Sequence, residues 1–96
     1  MAYATENELL LIEVVKNITR ENNIRVVFKS SDSISVVINI YLENEKSIFF
    51  LKKLTNKLVS IISGAYKIVY VTYHYKNKIL YSYTNTYGNE EEGFGL

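Results

Sequence analysis

Seven of the nine tyrosines of this chain lie between residues 66 and 87, together with its single histidine and three of its lysines. A tyrosine ring offers a large apolar surface with a polar tip, which suits it to protein interfaces. Tyrosines interleaved with ammonium groups can also stack on exposed bases while the cations meet phosphates. This tyrosine-rich segment therefore predicts a binding surface, either for a protein or for a single-stranded nucleic acid.

The two interpretations use different residues of the segment. For a protein partner, we predict contacts through Tyr70, Tyr73, Tyr75, Tyr81 and Tyr83. For a nucleic acid, the predicted residues are Lys67, His74, Lys76 and Lys78. Three lysines give a salt dependence with a slope of only about −2 for a single strand, so tight binding would need further cations. We therefore favour the protein interface.

Catalytic and metal-binding chemistry has little support in the sequence. The chain has no cysteine, and it has one histidine, His74, and one aspartate, Asp32. No nucleophile, histidine and carboxylate grouping has a spacing that suggests a triad, and a zinc-thiolate site is excluded. Three of the four glycines lie in the last nine residues, so no glycine-rich phosphate loop is present either. We expect a non-catalytic protein that needs no metal or other cofactor.

Length and composition predict one small globular domain. The chain has 96 residues, of which 48% are hydrophobic and 22% charged, and its net charge is +1. We assign residues 1–87 to a single α+β domain and residues 88–96 to an acidic C-terminal tail that contains glycine and phenylalanine. No apolar run approaches the roughly 20 residues that cross a bilayer, and the N-terminus does not resemble a secretory signal. A cytoplasmic location without membrane contact is expected.

Hydrophobic spacing predicts the elements that position these residues, in the order helix-strand-strand-helix-strand-strand. The predicted bounds are a helix over about 6–21, strands over 24–29 and 34–42, a second helix capped by Asn44 and ended near Gly64, and strands over 66–75 and 79–84. The simplest packing is a two-layer sandwich, a four-stranded antiparallel sheet with both helices on one face. The last strand would be an exposed edge.

The strand predicted over 66–75 has two apolar faces. Val69 and Val71 share one face with Tyr73, whereas Ile68 shares the other with Tyr70. Such a strand is often covered on both sides, here by helices on one side and by a partner on the other. The acidic tail offers a further hypothesis, in which it folds back over the three lysines of the segment and screens them from anions.

The element order over about residues 6–84 resembles that of the roadblock and longin-related dimerisation domains. Ser31-Asp32-Ser33 stands where roadblock domains often have an Asp-Gly turn. Residues 24–63 are also similar to the hairpin-plus-helix part of small dimerising subunits of tRNA-modification complexes. These resemblances imply self-association. We predict a homodimeric interaction module that acts as an adaptor, accessory subunit or inhibitor of a larger complex, with single-stranded nucleic-acid binding as the alternative.

Overall fold

A computed structural model describes residues 6–30, 32, 34–62 and 64–95 of the chain. It contains the helices α1 (Glu6–Thr19) and α2 (Ile48–Ile62) and the strands β1 (Arg25–Lys29), β2 (Ser35–Leu42), β3 (Ile68–Tyr75), β4 (Lys78–Thr86) and β5 (Asn89–Phe94). The α+β class and the order of the first six elements are confirmed. Within the described residues, neither helix combines the length and the apolar character that crossing a bilayer requires.

The strands form one mixed sheet in the order β1-β2-β3-β4-β5. The pairs β1–β2, β3–β4 and β4–β5 are antiparallel, but β2 and β3 run parallel. The sheet thus differs from the predicted four-stranded antiparallel sheet in strand number and in the direction of one pair. The parallel pair follows from α2, because a helical crossover returns the chain to the end of the sheet where β2 began.

Both helices pack on the same face of this sheet, which we call the helix face. In β2, Val36, Ile38 and Ile40 are buried and alternate with more exposed neighbours. Helix α1 adds Leu11 and Val15 to the same core. The remaining buried aliphatic residues of this core are Ile24, Leu42, Leu51, Leu54, Leu58, Ile62, Val69 and Val71. Each fully buried side chain of this kind contributes about 1.5–3 kcal/mol, so α2, with four of them, anchors the fold.

The helix ends differ from the predicted ones for local reasons. Helix α1 stops at Thr19 because Arg20 has a left-handed backbone conformation, with φ of 59°. The N-cap of α2 is Ser47, whose Oγ accepts a hydrogen bond from the Phe50 amide at 3.2 Å. Asn44, the predicted cap, instead donates to the buried carboxylate of Glu21 through its amide N–H at 2.8 Å and its side chain at 2.9 Å. Glu21 thereby ties the loop after α1 to the end of β2.

Residues 89–94, which the sequence placed in the acidic tail, form β5 and cover the edge of β4. Two glycines permit this close approach. A Cβ atom on Gly95 would collide with the carbonyl oxygen of Ile79, and one on Gly93 would collide with the Oγ of Ser82. The C-terminal residues are therefore part of the sheet.

Candidate functional site

The tyrosine-rich segment does not form one surface, because β3 and β4 direct their side chains alternately to the two faces of the sheet. Tyr73, Tyr81 and Tyr83 lie on the helix face and are only 0%, 2% and 5% exposed. Tyr70 lies on the other face and is 41% exposed, and Tyr75 is half-buried at the end of β3. Three of the five predicted partner-binding tyrosines are thus inside the fold, where no partner can reach them.

The hydroxyl groups of these three tyrosines are bonded within the protein. Tyr73 lies 2.8 Å from the Oγ1 of Thr55, which itself donates to the carbonyl oxygen of Leu51 at 2.7 Å, so Tyr73 is the donor. Tyr81 donates to Glu92 and Tyr83 to Glu90, each at 2.6 Å. Burial is the main cause that raises the pKa of all three phenols above the ordinary value of 10.0. Their role is to support the fold.

The four residues predicted for nucleic acid are also spread apart. Lys67 precedes β3, whereas Lys76 follows its other end and Lys78 begins β4 beside Tyr75, about 26 Å away for eight extended residues. The ammonium groups of Lys76 and Lys78 lie 5.3 and 6.0 Å from the ring centre of Tyr75. His74 faces the opposite side of the sheet from Tyr75. The structure therefore brings Lys76 and Lys78 together but separates them from Lys67 and His74.

Two of the acidic C-terminal residues, Glu90 and Glu92, bond to side chains on the helix face. Glu92 pairs with Lys52 of α2, with 3.4 Å between Nζ and Oε2. The hydrogen bond from Tyr81 is the main cause that lowers the pKa of Glu92 below its ordinary 4.5, and Lys52 adds to it. A cleft of about 300 Å³ separates α2 from β5 and is lined by Lys52, Asn56, Tyr81, Tyr83, Glu90 and Glu92. The tail does fold back on the hairpin, as β5 against β4, while the predicted screening of Lys67, Lys76 and Lys78 stays a prediction.

The other face of the sheet, which we call the open face, is covered by no described helix. Its side chains follow from the strand register: Arg25, Val27 and Lys29; Ser35, Val37, Asn39 and Tyr41; Ile68, Tyr70, Thr72 and His74; Ile79, Ser82, Thr84 and Thr86; Asn89, Glu91 and Gly93. The irregularity between Tyr73 and His74 pairs His74 with Ile79, which turns Ile79 to this face. The open face is the candidate functional site.

A stack of three side chains crosses one end of the open face. The guanidinium of Arg25 lies 4.3 Å from the ring centre of Tyr41. The rings of Tyr41 and His74 are 4.5 Å apart and nearly parallel, at 13°. Because β2 lies between β1 and β3, Arg25 and His74 occupy opposite faces of the Tyr41 ring. The Nε2 of His74 donates to the Oδ1 of Asn39 at 2.9 Å, and this network holds the four side chains in place.

The remainder of the open face combines exposed apolar groups with small polar ones. Val37, Tyr70 and Ile79 are 38%, 41% and 46% exposed, which is high for residues in the middle of a sheet. Sequence reasoning named Tyr70 and His74 but missed Arg25, Val37 and Tyr41. The available signal was the alternation in residues 34–42, which sets Val37 and Tyr41 against the buried Val36 and Ile40. This alternation indicates a binding surface only when β2 is known to lie beside β3, because that pairing brings Val37 next to Tyr70 and Tyr41 next to His74.

Neither metal ligands nor known relatives identify a different site. Among the described residues, no group of three or more histidine, cysteine, aspartate or glutamate side chains could hold a metal ion. Comparison with protein-family models, with curated proteins and with solved structures gives no match for this chain. The dimerisation implied by its resemblance to the roadblock and longin-related domains therefore stays a prediction.

Proposed function

We propose that this chain is a small non-catalytic protein–protein interaction module that binds its partner through the open face of the sheet. One observation carries the proposal: both helices cover one face, while the other exposes Val37, Tyr70 and Ile79 next to a pre-formed aromatic stack. Exposed apolar side chains that are grouped on one sheet face commonly mark a surface that binds another protein. The roles that suit such a module are adaptor, accessory subunit or inhibitor of a larger complex.

The non-catalytic part of the proposal is supported by how the ionisable side chains are used. Glu21, Glu90 and Glu92 each accept hydrogen bonds that tie one element to another. His74 is stacked on Tyr41, and burial lowers the pKa of its imidazole, so it is neutral at about pH 7. A neutral histidine with one nitrogen bonded to Asn39 is suited to packing in an interface.

The open face is also pre-organised for binding. The stack of Arg25, Tyr41 and His74 fixes long side chains before any partner arrives, which reduces the side-chain entropy lost on association. Tyr70 lies on β3, the central strand, where a contact is surrounded by the rest of the face. Aromatic residues near the centre of an interface commonly contribute most of its binding free energy. We therefore place the main contact at Tyr70.

The test compares one substitution on each surface of the protein. A tagged chain is expressed beside an untagged copy in the cells that naturally make it, and captured proteins are identified by mass spectrometry. Tyr70→Lys introduces a charge at the centre of the open face, whereas Phe49→Lys does so on α2, where Phe49 is 80% exposed. We expect Tyr70→Lys to abolish capture and Phe49→Lys to preserve it. Capture that survives Tyr70→Lys but not Phe49→Lys would contradict the proposal.

Single-stranded nucleic-acid binding is the second candidate, favoured by two cations of the open face, Arg25 stacked on Tyr41 and the exposed Lys29. Two observations weigh against it. Both faces of the Tyr41 ring are already occupied, so no base can stack on them. Two cations give a slope of log K against log salt of only about −1.4 for a single strand.

The nucleic-acid candidate is tested by fluorescence anisotropy with a labelled single-stranded oligonucleotide. At about 0.15 M salt we expect no binding tighter than about 100 µM, since non-specific contacts through so few cations are weak. Tight binding that is lost in Arg25→Ala and Lys29→Ala, with Lys53→Ala as the matched control on α2, would replace the interaction module by a nucleic-acid-binding function.

A further inference from the structure

One row of the open face carries opposite charges at its two ends. The strand register aligns Lys29 of β1, Val37 of β2, Tyr70 of β3, Thr84 of β4 and Glu91 of β5 across the sheet. Lys29 and Glu91 are both exposed, and Tyr70 lies midway between them. A cation at one edge, an anion at the other and an aromatic ring at the centre form a self-complementary pattern.

In a dimer with two-fold symmetry, the opposite charges of this row can pair with each other. If a second copy faces the first across an axis that runs along β3, β1 of each copy lies over β5 of the other, and β3 lies over β3. Lys29 then faces the partner's Glu91, and Tyr70 faces its own symmetry mate. The same operation sets Tyr41 against the partner's Ile79, and Ile68 against its symmetry mate. Opposite charges thus face each other, and apolar groups face apolar groups.

The other face-to-face arrangement is less favourable. An axis perpendicular to the strands would place β1 over β1, which brings Arg25 of one copy against Lys29 of the other. Like charges placed opposite each other in an interface are repulsive, and they disfavour that partner geometry. The charges of the open face therefore select the axis along β3.

The area of the open face is sufficient for a stable dimer. Five strands spaced about 4.8 Å apart, with the longer strands extending about 26 Å, give a face of about 600 Å². Two such faces bury about 1,200 Å² in total, at the lower end of the range for specific interfaces. Sheets that pack face to face are a common architecture, with strands within about 30° of each other.

We infer that the occupant of the open face is a second copy of this chain, related by a two-fold axis along β3, with reciprocal pairs between Lys29 and Glu91 at the edges. The inference rests on the proposed function, because it names the partner of the same surface. In this dimer the two sheets form a four-layer assembly of helices, sheet, sheet and helices. The apolar groups of both open faces are then removed from water.

A charge-reversal series tests the pairing. Sedimentation equilibrium over about 1–100 µM gives the dimer dissociation constant for the wild type, Lys29→Glu, Glu91→Lys and the double variant. We expect each single reversal to weaken the dimer at least tenfold, and the double variant to return to within about threefold of the wild type, since it restores opposite charges. Lys53→Glu, an exposed substitution on α2 with the same charge change, should leave the dimer unaltered. Circular dichroism confirms folding of each variant.

Cross-linking tests the axis independently, and the absence of native cysteine makes single-cysteine variants clean. Thr72 and Val27 lie in one row of the open face, on β3 and β1. A bis-maleimide that spans about 10 Å, the spacing of packed sheets, should join Thr72→Cys to its symmetry mate. Val27→Cys should fail, because the two copies of Val27 are then separated laterally by about four strand spacings of 4.8 Å.

The outcomes separate this inference from the proposed function. A wild-type monomer at all concentrations overturns the inference, while loss of a different captured protein in Tyr70→Lys still supports the proposed function. A dimer that ignores both charge reversals and does not cross-link at Thr72 overturns the inference, and also removes the open face as the binding surface for self-association. Cross-linking at Val27 overturns the axis along β3. The inference is supported if each single charge reversal weakens the dimer, the double variant restores it, and Thr72→Cys cross-links to its symmetry mate.

Discussion

Tyr70 and Tyr73 lie three residues apart on β3 and have opposite environments. Tyr73 is inside the core, where its hydroxyl reaches Thr55, whereas Tyr70 is exposed on the open face. At the residue scale, tyrosine thus serves the fold on one face of the sheet and is available for binding on the other. Residue type alone does not distinguish these uses, because the same ring suits a core and an interface.

The first prediction compares Tyr73→Phe with Tyr70→Phe. Removing the Tyr73 hydroxyl deletes a buried hydrogen bond, while Thr55 keeps its bond to Leu51, so the free energy of unfolding should fall by about 0.5–1.5 kcal/mol. Tyr70→Phe changes an exposed group and should alter it by less than about 0.5 kcal/mol. Urea unfolding measures both, at one protein concentration that is low enough for the chain to be monomeric. Equal effects of the two substitutions would contradict the assigned environments.

The second prediction concerns alkaline titration of the tyrosines. Burial raises the pKa of Tyr73, Tyr81 and Tyr83 in the folded state above the ordinary 10.0. Their contribution to stability is therefore complete below about pH 10, and it is lost as the pH rises toward the raised values. Absorbance of phenolate should show that Tyr73, Tyr81 and Tyr83 ionise only as the protein unfolds. Ionisation of these three phenols at their ordinary pKa of 10.0 while the fold is intact would contradict the prediction.

At the element scale, β5 shows where sequence patterns stop being informative. Alternation correctly separated Val69 and Val71 from Tyr70, because period two is a local property of a strand. Three consecutive glutamates, however, have low strand propensity and indicate a solvated tail. What makes them a strand is long-range: Glu90 and Glu92 accept hydrogen bonds from Tyr83 and Tyr81 of β4. No pattern within residues 88–96 contains that information.

The third prediction follows from this attachment of β5. Replacing both Glu90 and Glu92 with Ala leaves two phenol hydroxyls without their acceptors and removes the pair with Lys52. Amide hydrogen exchange should then accelerate in β5 and at the β4 edge, while β2 and β3 remain protected. Glu45→Ala, which removes an exposed carboxylate near Lys78, is the matched control and should change nothing in β5. Unchanged exchange in the double variant would show that β5 does not depend on these contacts.

The same contacts give β5 a defined pH dependence. The pKa of Glu92 is lowered in the folded state, first by the hydrogen bond from Tyr81 and then by Lys52. The contribution of Glu92 to stability is therefore complete above its ordinary pKa of 4.5, and it is lost as the pH falls through the lowered value. Exchange in β5, corrected for intrinsic rates, should increase in that acid range before the core strands open.

At the scale of the whole molecule, the sequence predicted layers better than it predicted connections. Amphipathic spacing in α2 and alternation in β2 were sufficient to place the helices on one face of a sheet. The parallel pairing of β2 with β3 was missed, because hydrophobic patterns do not encode strand direction in a sheet with one open face. The candidate site was half-predicted for the same reason: Tyr70 and His74 were named from one segment, while Arg25 and Tyr41 join them only through the strand order.

The fourth prediction concerns how salt affects self-association of the whole protein. The proposed interface combines exposed apolar groups, including Val37, Tyr70 and Ile79, with small polar ones, and its charge pairs are Lys29 with Glu91 at the edges. Exposed ion pairs contribute about 0.2–1 kcal/mol each and are screened at about 0.5 M salt, whereas apolar burial is not. The two pairs of a dimer contribute at most about 2 kcal/mol together, so the dimer association constant should fall by less than about thirtyfold between about 0.1 and 0.5 M salt.

Light scattering after chromatography at both salt concentrations measures this dependence, with the ratio of absorbance at about 260 and 280 nm recorded for bound nucleic acid. A dimer of constant mass that carries no nucleic acid matches an interface dominated by Tyr70, Val37 and Ile79. A species that carries nucleic acid and loses it at high salt would mean that Arg25 and Lys29 meet phosphates, because counterion release makes only such a complex strongly salt-dependent. A protein interface and a nucleic-acid site on the open face would use the same residues. The salt dependence of binding, and not the location of the site, therefore distinguishes the two functions.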